Sequence, residues 1–425
     1  MSRLSAAPAR TAPISPASHG AVRELRAFRW NGRSNHKTIT SARLASVRPM
    51  VVETLVNEFW TSRQRAAHSL HEISYRACFK PQLPRFFIER FTEPGNVVYD
   101  PFMGRGTTVI EAALLGRSPI GCDVNPLSAI LAGPRLAPPT LHDIHARLNE
   151  LNLSAAGHYP SEFEVFYHAE TLREICALKE YVIRRERAGA IDTIDRWIRM
   201  VAVNRLTGHS PGFFSVYTLP PNQATSLEAQ AKINAARKQT PPRRDVRALI
   251  AAKSQSLLSD CTSVCRTTLW RSTQRARLLT KQANATPEIR PGSVDLVVTS
   301  PPFLDVVDYA GDNWLRCWFC GLDSSTVEIS IHKKLPEWQQ AMSDVFRELT
   351  RVLRPGGHVA FEVGEVRGGR IKLEEAVLPC GFAAGLTPVL VVINSQQFTK
   401  TANCWGISNN KKGTNSNRIV LFRKV

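Results

Sequence analysis

Asp100-Pro101-Phe102-Met103-Gly104-Arg105-Gly106-Thr107-Thr108 is the stretch that decides the fold. It follows a short apolar run at 96–99 and leads into a segment with helical periodicity at 107–115. A second short strand is predicted at 119–122, ending at Asp123. This order of strand, glycine-bearing turn, helix and strand is typical of the first unit of a doubly wound sheet. We therefore predict an α/β fold.

The glycine-bearing turn is a candidate ligand site. Glycines there let the backbone approach a ligand closely, and the start of the following helix offers free N–H groups. The turn has neither the G-x-G-x-x-G pattern of dinucleotide-binding loops nor the Lys-Ser/Thr pair of a P-loop. Asp123 ends the next strand, where a carboxylate can accept both hydroxyls of a ribose. A helix cap before Asn125 is the alternative, and we favour the ribose contact.

A second α/β segment covers residues 276–425. Its run at 294–298 is almost continuously apolar, as expected for a strand buried on both faces. Helical spacing follows at 338–353, then a strand at 358–363 and a closing strand at 418–422. We predict that these elements complete the sheet.

Thr299-Ser300-Pro301-Pro302-Phe303 follows the 294–298 strand directly. The two prolines fix φ and remove two backbone donors, which leaves the carbonyls of Ser300 and Pro301 free to accept other bonds. Phe303 adds a flat stacking face. A planar ring with a protruding amino group would satisfy these features. An ordinary turn is the alternative, but the carboxyl end of a strand is where such sheets bind ligands.

Together, 100–108 and 300–303 closely resemble the amino-group DNA methyltransferases. That family has an Asp-Pro-Phe-x-Gly-x-Gly-Thr cofactor loop and a Ser/Asn/Asp-Pro-Pro-aromatic catalytic loop. The resemblance covers about 61–137 and 276–425. It implies a doubly wound, Rossmann-like S-adenosylmethionine-dependent methyltransferase sheet. Ser-Pro-Pro-Phe resembles the form in cytosine-N4 enzymes, whereas adenine-N6 enzymes more often have Asp or Asn first.

The resemblance also implies roles for individual residues. A base flipped from the duplex would stack on Phe303, while Ser300 and the Pro301 carbonyl accept bonds from its amino hydrogens. Pro302 completes the catalytic loop. The residues implied in binding S-adenosylmethionine are Lys80, Asp100, Pro101, Phe102, Gly104, Gly106, Thr107, Thr108 and Asp123.

Two features depart from the family pattern. The cofactor loop at 100–108 precedes the catalytic loop at 300–303, whereas many Ser-Pro-Pro-Phe enzymes have the opposite order. This order makes the long intervening segment the candidate target-recognition region. In addition, 282–284 reads Gln-Ala-Asn where an acid often contacts the adenine amino group.

Positive charge favours a nucleic-acid partner. The 425-residue chain has a formal net charge of +19, and such a balance favours contact with a polyanion. The segment 138–275 has mainly helical signals, with helices predicted at 175–187 and 191–206. Residues 232–281 hold twelve Lys or Arg against two acids. We predict DNA contacts from one basic group in this stretch, namely Arg243, Arg244 and Arg247.

These patterns predict four regions. Residues 1–60 form a basic N-terminal extension, partly disordered because 2–20 is rich in Ala, Pro and Ser. Residues 61–137 form the cofactor-binding half of the core, 138–275 a helical basic insertion, and 276–425 the catalytic half.

Cysteine usage favours the cytoplasm. Nine cysteines without framework spacing, and no apolar leader or run of about 18 residues, fit reduced thiols in a cytoplasmic protein. Cys317-x-x-Cys320 and Cys261-x-x-x-Cys265 have tolerable zinc spacing. Because the first pair falls in a predicted buried helix, we expect no metal site.

The sequence thus favours a site-specific methyltransferase acting on cytosine N4 in double-stranded DNA. A cognate restriction endonuclease, acting separately, is compatible with this function. Three alternatives stay open: an adenine-N6 DNA methyltransferase, an RNA exocyclic-amine methyltransferase, and a non-catalytic nucleic-acid-binding protein with the same fold.

Overall fold

The structure is a computed structural model that describes most of the chain. The described residues are 16–43, 49–61, 67–76, 78–154, 159–219, 224–302, 304, 309–323, 327, 332, 334–366, 370–395 and 416–425.

Within the described residues, nine strands form one mixed sheet, and two short hairpins lie outside it. The strands are β1 (Arg29–Trp30), β2 (Arg33–Ser34), β3 (His36–Ala42), β4 (Met50–Asn57), β5 (Val97–Asp100), β6 (Ser118–Asp123), β7 (Arg277–Thr280), β8 (Val294–Thr299), β9 (Leu353–Val363), β10 (Glu365–Val366), β11 (Ile371–Lys372), β12 (Leu386–Ser395) and β13 (Ser416–Lys424). The order in the large sheet is β3-β4-β12-β13-β9-β8-β5-β6-β7.

The strand order reverses between β5 and β8. After β5 the chain continues to β6 and β7 on one side, and it returns at β8 on the other, all in parallel register. β13 runs antiparallel between β9 and β12. Ligands bind at the carboxyl ends of strands where such an order reverses. Asp100 and Thr299 end the two strands at this point, and the predicted doubly wound α/β fold is confirmed.

The sheet begins well before residue 61. β4 pairs in parallel with β12, placing Thr54 opposite Val391, and β3 pairs antiparallel with β4. The predicted N-terminal extension at 1–60 therefore needs correction, since 36–57 belongs to the core sheet. Sequence periodicity could not indicate this, because β4 and its partner strand β12 lie near opposite ends of the chain.

Thirteen helices are present in the described parts of the chain. They are α1 (Pro16–Ala27), α2 (Gln82–Phe91), α3 (Thr107–Leu114), α4 (Pro126–Leu136), α5 (Leu141–Glu150), α6 (Ala169–Arg187), α7 (Thr193–Val203), α8 (Leu227–Arg237), α9 (Val246–Leu258), α10 (Ser263–Thr273), α11 (Tyr309–Cys320), α12 (Leu335–Val352) and α13 (Leu373–Ala383). Because α1 starts at Pro16, the disorder predicted over 2–20 is wrong for 16–20, and 2–15 lies outside the described residues.

The middle segment is helical and packs directly on the cofactor-binding half. Helices α5 to α10 all fall within 138–275. One continuous apolar cluster joins Met103 and Val109, at the cofactor loop and α3, to Trp197 and Ile250 in this segment. The segment therefore shares its core with the sheet rather than forming a separate layer. No described helix is long and apolar enough to cross a membrane.

Candidate active site

A cavity of about 220 Å³ opens at the carboxyl ends of β5, β6, β7 and β8. Residues 101–104 of the cofactor loop, 123–125 after β6 and 281–284 after β7 line one part of it. Ser300 and Pro302 of the predicted catalytic loop line another. The two sequence motifs, far apart along the chain, therefore face the same space.

Two glycines give the cofactor loop its shape. Gly104 and Gly106 have φ of 48° and 81°, in the left-handed region that favours glycine. Gly106 also precedes the first turn of α3, and a Cβ there would lie 2.7 Å from Cβ of Ala132. Both the backbone conformation and the packing of α3 against α4 therefore require glycine at position 106. Gly106 supports the loop from behind and does not itself line the cavity.

Asp123 holds the cofactor loop and lines the cavity. Its Oδ2 accepts a hydrogen bond from Gly104 N at 2.8 Å, and its Oδ1 accepts one from Asn125 N at 2.9 Å. Burial raises the pKa of this carboxyl, and the two backbone donors oppose that effect. Each carboxylate oxygen has a second lone pair, so Asp123 can accept further bonds from a ligand's hydroxyls. The structure thus places it where the sequence predicted, with an additional supporting role.

Asp100 joins the two loops beneath the cavity. Its Oδ1 accepts from Thr299 Oγ1 at 2.6 Å and from Phe102 N at 3.1 Å. Thr108, at the start of α3, donates to the carbonyl of Val298 at 3.1 Å. Asp100 and Thr108 do not line the cavity. Their contacts connect the strand that precedes each motif, so they position the loops instead of forming the cavity wall.

A tryptophan anchors the catalytic loop. Trp338 Nε1, at the start of α12, donates to the carbonyl of Pro302 at 2.9 Å, and both residues line the cavity. Pro301 is buried, and Phe303 lies outside the described residues. The sequence pointed to the carbonyls of Ser300 and Pro301, and nothing in it indicated that an indole would fix the carbonyl of Pro302.

A buried glutamate lies behind the predicted catalytic serine. Glu362, on β9, is 7% exposed and shares a hydrogen bond with the Ser300 hydroxyl. Asn417 Nδ2 donates to its Oε1 at 3.0 Å. Burial raises the pKa of Glu362, and the two hydrogen bonds oppose that effect. Sequence reasoning missed Glu362, although an acid within the apolar run 358–363, next to the strand that leads to Ser300, was an available signal.

Lys80 does not line the cavity, although it was predicted to bind the cofactor. Burial and the nearby Arg105 lower the pKa of its ammonium group. The preceding residues Tyr75, Arg76 and Phe79 line the cavity in its place. The segment just before Lys80 therefore contributes to the cavity wall, whereas the Lys80 side chain does not.

The predicted DNA-contacting arginines lie away from this cavity. The Arg247 Nε donates to the carbonyl of Leu148 at 2.9 Å, which ties the end of α5 to α9. Arg243 is 65% exposed at its side chain and pairs with Glu170 at 2.5 Å. The backbone of Arg244 makes two hydrogen bonds with the Thr171 hydroxyl: the Arg244 N–H donates to it, and the Arg244 carbonyl accepts from it. Arg247 thus has a clear structural role, and the predicted DNA contacts stay predictions.

Comparisons with known proteins support the resemblance carried by the cofactor loop. The N6/N4 methyltransferase profile, described as DNA methylase, matches residues 35–129 and so includes the cofactor loop. Over these residues the chain is similar to the amino-group DNA methyltransferases. Three similar relatives of this methyltransferase are the Type II methyltransferases M.MjaII of Methanocaldococcus jannaschii, M.BsoBI of Geobacillus stearothermophilus and M1.MboII of Moraxella bovis.

These matches cover only parts of each protein. Identity to M.MjaII is 35% over 17% of this methyltransferase chain and 14% of the relative. Identity to M.BsoBI is 23% over 68% of this chain and 58% of the relative. Identity to M1.MboII is 40% over 17% of this chain and 29% of the relative. The chain therefore covers less than two thirds of the length of each. The structure also aligns with that of geranyl diphosphate C-methyltransferase from Streptomyces coelicolor A3(2), at 11% sequence identity over 97% of this chain and 100% of the other. The TM-score of this alignment is 0.32, which is too low to inform function.

S-adenosylmethionine is the cofactor of this methyltransferase, and the residues of the cavity fit it. The positive φ of Gly104 brings bare backbone to the cavity wall, and Asp123 offers carboxylate lone pairs. Phe102 adds an aromatic side chain to the lining, and the side chain of Asn284 can both donate and accept hydrogen bonds. Such a mixed lining suits a ligand with a ribose, a purine ring and a charged sulfur.

Proposed function

We propose that this chain methylates an exocyclic amino group in double-stranded DNA, with cytosine N4 as the target. The observation that carries the proposal is the shared cavity. Gly104 and Asp123 of the cofactor-binding side line the same space as Ser300 and Pro302. Methyl transfer requires donor and acceptor in one dry site with their reacting atoms aligned, and holding them there supplies much of the rate enhancement.

In this proposal Ser300 orients the target amino group. Its hydroxyl donates to the buried Glu362 carboxylate, so the lone pairs of Ser300 Oγ remain to accept an amino hydrogen. Trp338 fixes the Pro302 carbonyl and with it the backbone of the loop. Accepting the amino hydrogens localises the nitrogen lone pair, which is otherwise delocalised into the ring, and directs it toward the methyl donor. S-adenosylmethionine supplies, when bound, a methyl group activated by a sulfonium.

The same pair of residues offers a route for the departing proton. An amino nitrogen that accepted the methyl group would carry a positive charge and would then have to lose one proton. Ser300 Oγ can pass a proton to Glu362 along the hydrogen bond between them. Burial raises the pKa of this carboxyl, which makes it a better proton acceptor than an exposed glutamate.

Cytosine is favoured over adenine because the first residue of the loop is Ser300. A neutral hydroxyl can hold an amino group without adding a charge to the pocket, whereas Asp at this position would make the pocket anionic. In the resembling family, Asp or Asn at this position more often accompanies adenine. Adenine N6 is the second candidate, and it would use the same loop.

We propose that DNA phosphates contact the basic middle segment. The guanidinium group of Arg243 is mostly exposed, so DNA could displace its pairing with Glu170. Arg247, which donates to helix-terminal carbonyls, serves as the matched control. Replacing Arg243 and Arg244 with Ala should weaken DNA binding and reduce its salt dependence, whereas Arg247→Ala should mainly reduce stability. An unchanged salt slope in the double variant would remove both residues from the DNA interface.

Transfer of radiolabelled methyl groups to duplex DNA, single-stranded RNA and protein tests the proposed activity. We expect incorporation into DNA alone, and Ser300→Ala should reduce it by about 100-fold or more, in the range typical of losing a proton-transfer or orienting group. Ser259→Ala, at an exposed residue after α9, is the matched control and should retain full activity. Incorporation into RNA but not DNA would contradict the proposed substrate, and equal activity of Ser300→Ala would contradict the proposed catalytic loop.

A further inference from the structure

We propose that this chain binds a structural zinc ion through His68, Cys261 and Cys265, at a site separate from the active-site cavity. One ring nitrogen of His68 and the two Sγ atoms all lie within 4.8 Å of one another. Cys265 Sγ lies 3.4 Å from His68 Nε2. Among the described residues, this is the one group of three histidine, cysteine or acidic side chains that converge in this way.

The distances suit a tetrahedral zinc ion. Zn–S bonds of about 2.3 Å and Zn–N bonds of about 2.0–2.1 Å place neighbouring ligand atoms about 3.5–3.8 Å apart. The three atoms need only small movements to reach that spacing. Two thiolates and an imidazole form a soft donor set that favours zinc over magnesium or calcium. All three residues are partly exposed, so water can reach a fourth coordination position.

The surrounding contacts hold two of the ligand-bearing segments together. Cys265 lies in the first turn of α10, where its N–H donates to Thr262 Oγ1 at 3.2 Å. The carboxylate of Asp260 accepts from Ser69 N at 2.8 Å, next to His68. Segment 67–71 and the start of α10 are therefore already fixed against each other without the ion.

Coordination changes the hydrogen bonding of one ligand. The His68 Nδ1 accepts from Leu70 N at 3.2 Å and caps the short helix Ser69–His71. When Nε2 binds zinc, the ring proton lies on Nδ1, and this cap bond is lost. A metal-ligating imidazole usually donates this proton to an acceptor or to water. The loss of one long backbone hydrogen bond is small beside two thiolate bonds and one imidazole bond to zinc.

The position of the site predicts what the ion does. The segment that starts at His68 continues into Ile73, whose carbonyl accepts from buried Arg105 of the cofactor loop at 2.7 Å, and into Tyr75, which lines the cavity. Zinc would therefore fix the helical middle segment to the wall of the cofactor cavity. Its role is structural, because no ligand lines the cavity.

This proposal replaces our expectation from the sequence that no metal is bound. The spacing of Cys261 and Cys265 suggested only two ligands, and His68 lies far earlier in the chain, before the cofactor loop. The other closely spaced pair, Cys317 and Cys320, is buried in α11, where the sequence analysis placed it.

The test measures zinc in the untagged full-length protein after expression in zinc-supplemented medium. We expect about one zinc per chain by mass spectrometry of the metal, and a thiolate-to-metal absorption band after cobalt replaces zinc. His68→Asn should weaken zinc binding at least about 100-fold in chelator competition, since loss of even an indirect metal contact costs 10–100-fold. Asparagine can still cap the helix at this position, so the variant keeps its fold.

Two further variants complete the test. Cys261→Ala combined with Cys265→Ala should remove both the zinc and the cobalt band, whereas Cys317→Ala combined with Cys320→Ala should retain them. Less than about 0.1 zinc per chain in the folded parent protein would overturn the proposal. The proposal would also be overturned if His68→Asn bound zinc as tightly as the parent. A third contradicting result would be a parent protein that is two mass units lighter because of a Cys261–Cys265 disulfide and that binds no cobalt after reduction.

Discussion

Asp100→Asn should make the protein more stable than the parent above neutral pH. Asp100 is 1% exposed, and its Oδ1 accepts from Thr299 and from the backbone of Phe102. Burial raises the pKa of Asp100 from its ordinary value of 3.8 to about 7, and these hydrogen bonds only partly oppose the effect. Asparagine can accept the same two bonds through its own Oδ1, and it carries no charge to desolvate.

The expected magnitude follows from the two pKa values. Because the folded state holds the Asp100 proton more tightly than the unfolded state, protonation favours folding below about pH 3.8. That contribution is lost as the pH rises through about 7. The difference between 3.8 and about 7 corresponds to about 4 kcal/mol. The stability of Asp100→Asn relative to the parent should therefore rise by up to about 4 kcal/mol between pH 4 and pH 8.

Urea unfolding followed by tryptophan fluorescence at several pH values measures this difference. Other titrating groups cancel, because only the difference between variant and parent is compared at each pH. Asp245→Asn is the matched control, since Asp245 is exposed at the N-cap of α9 and asparagine also caps helices. Parallel stability profiles for Asp100→Asn and the parent would refute the reasoning.

Three further outcomes follow from the site. Asp123→Ala should weaken S-adenosylmethionine binding in calorimetry by at least about tenfold, through loss of an acceptor and of the loop contact; unchanged affinity would remove Asp123 from the cofactor site. Gly106→Ala should lower the free energy of unfolding by about 1–3 kcal/mol in thermal unfolding, because φ is positive and the new Cβ meets Ala132. Gly95→Ala is the control and should cost less stability, because Gly95 has a positive φ but open space around it. Equal losses of stability would mean that the close contact with Ala132 has no effect. Glu362→Gln should slow methyl transfer and leave cofactor affinity unchanged; an unaltered rate across the pH range would exclude it from the proton route.

The elements nearest the site were the most predictable from sequence. The runs 100–108 and 300–303 combine glycine, proline and acidic residues at strand ends, so their chemistry depends on local conformation that the sequence itself restricts. The apolar strands on either side of them need no distant partner to be recognised. Both loops therefore lie where the sequence predicted, the doubly wound fold is confirmed, and the resemblance to the family is supported.

The features that sequence could not predict depend on distant contacts. Strand β4 joins the sheet only because β12, far along the chain, accepts it as a neighbour. Glu362 has a candidate role because β9 places it behind Ser300, and Arg247 became structural because α9 packs against the end of α5. His68 meets Cys265 for the same reason. A count of charges along the sequence cannot tell a structural arginine from one that contacts DNA. The spacing of two cysteines likewise cannot show that a distant histidine lies beside them.

The identity of the modified base tests the central proposal most directly. Duplex DNA methylated by the purified protein would be digested to nucleosides and analysed by mass spectrometry, with Ser300→Ala as the impaired control. We expect N4-methylcytosine with the parent protein and at least about 100-fold less with the variant. N6-methyladenine alone would contradict the assignment of cytosine, and the absence of any methylated nucleoside from DNA would contradict the proposed activity itself.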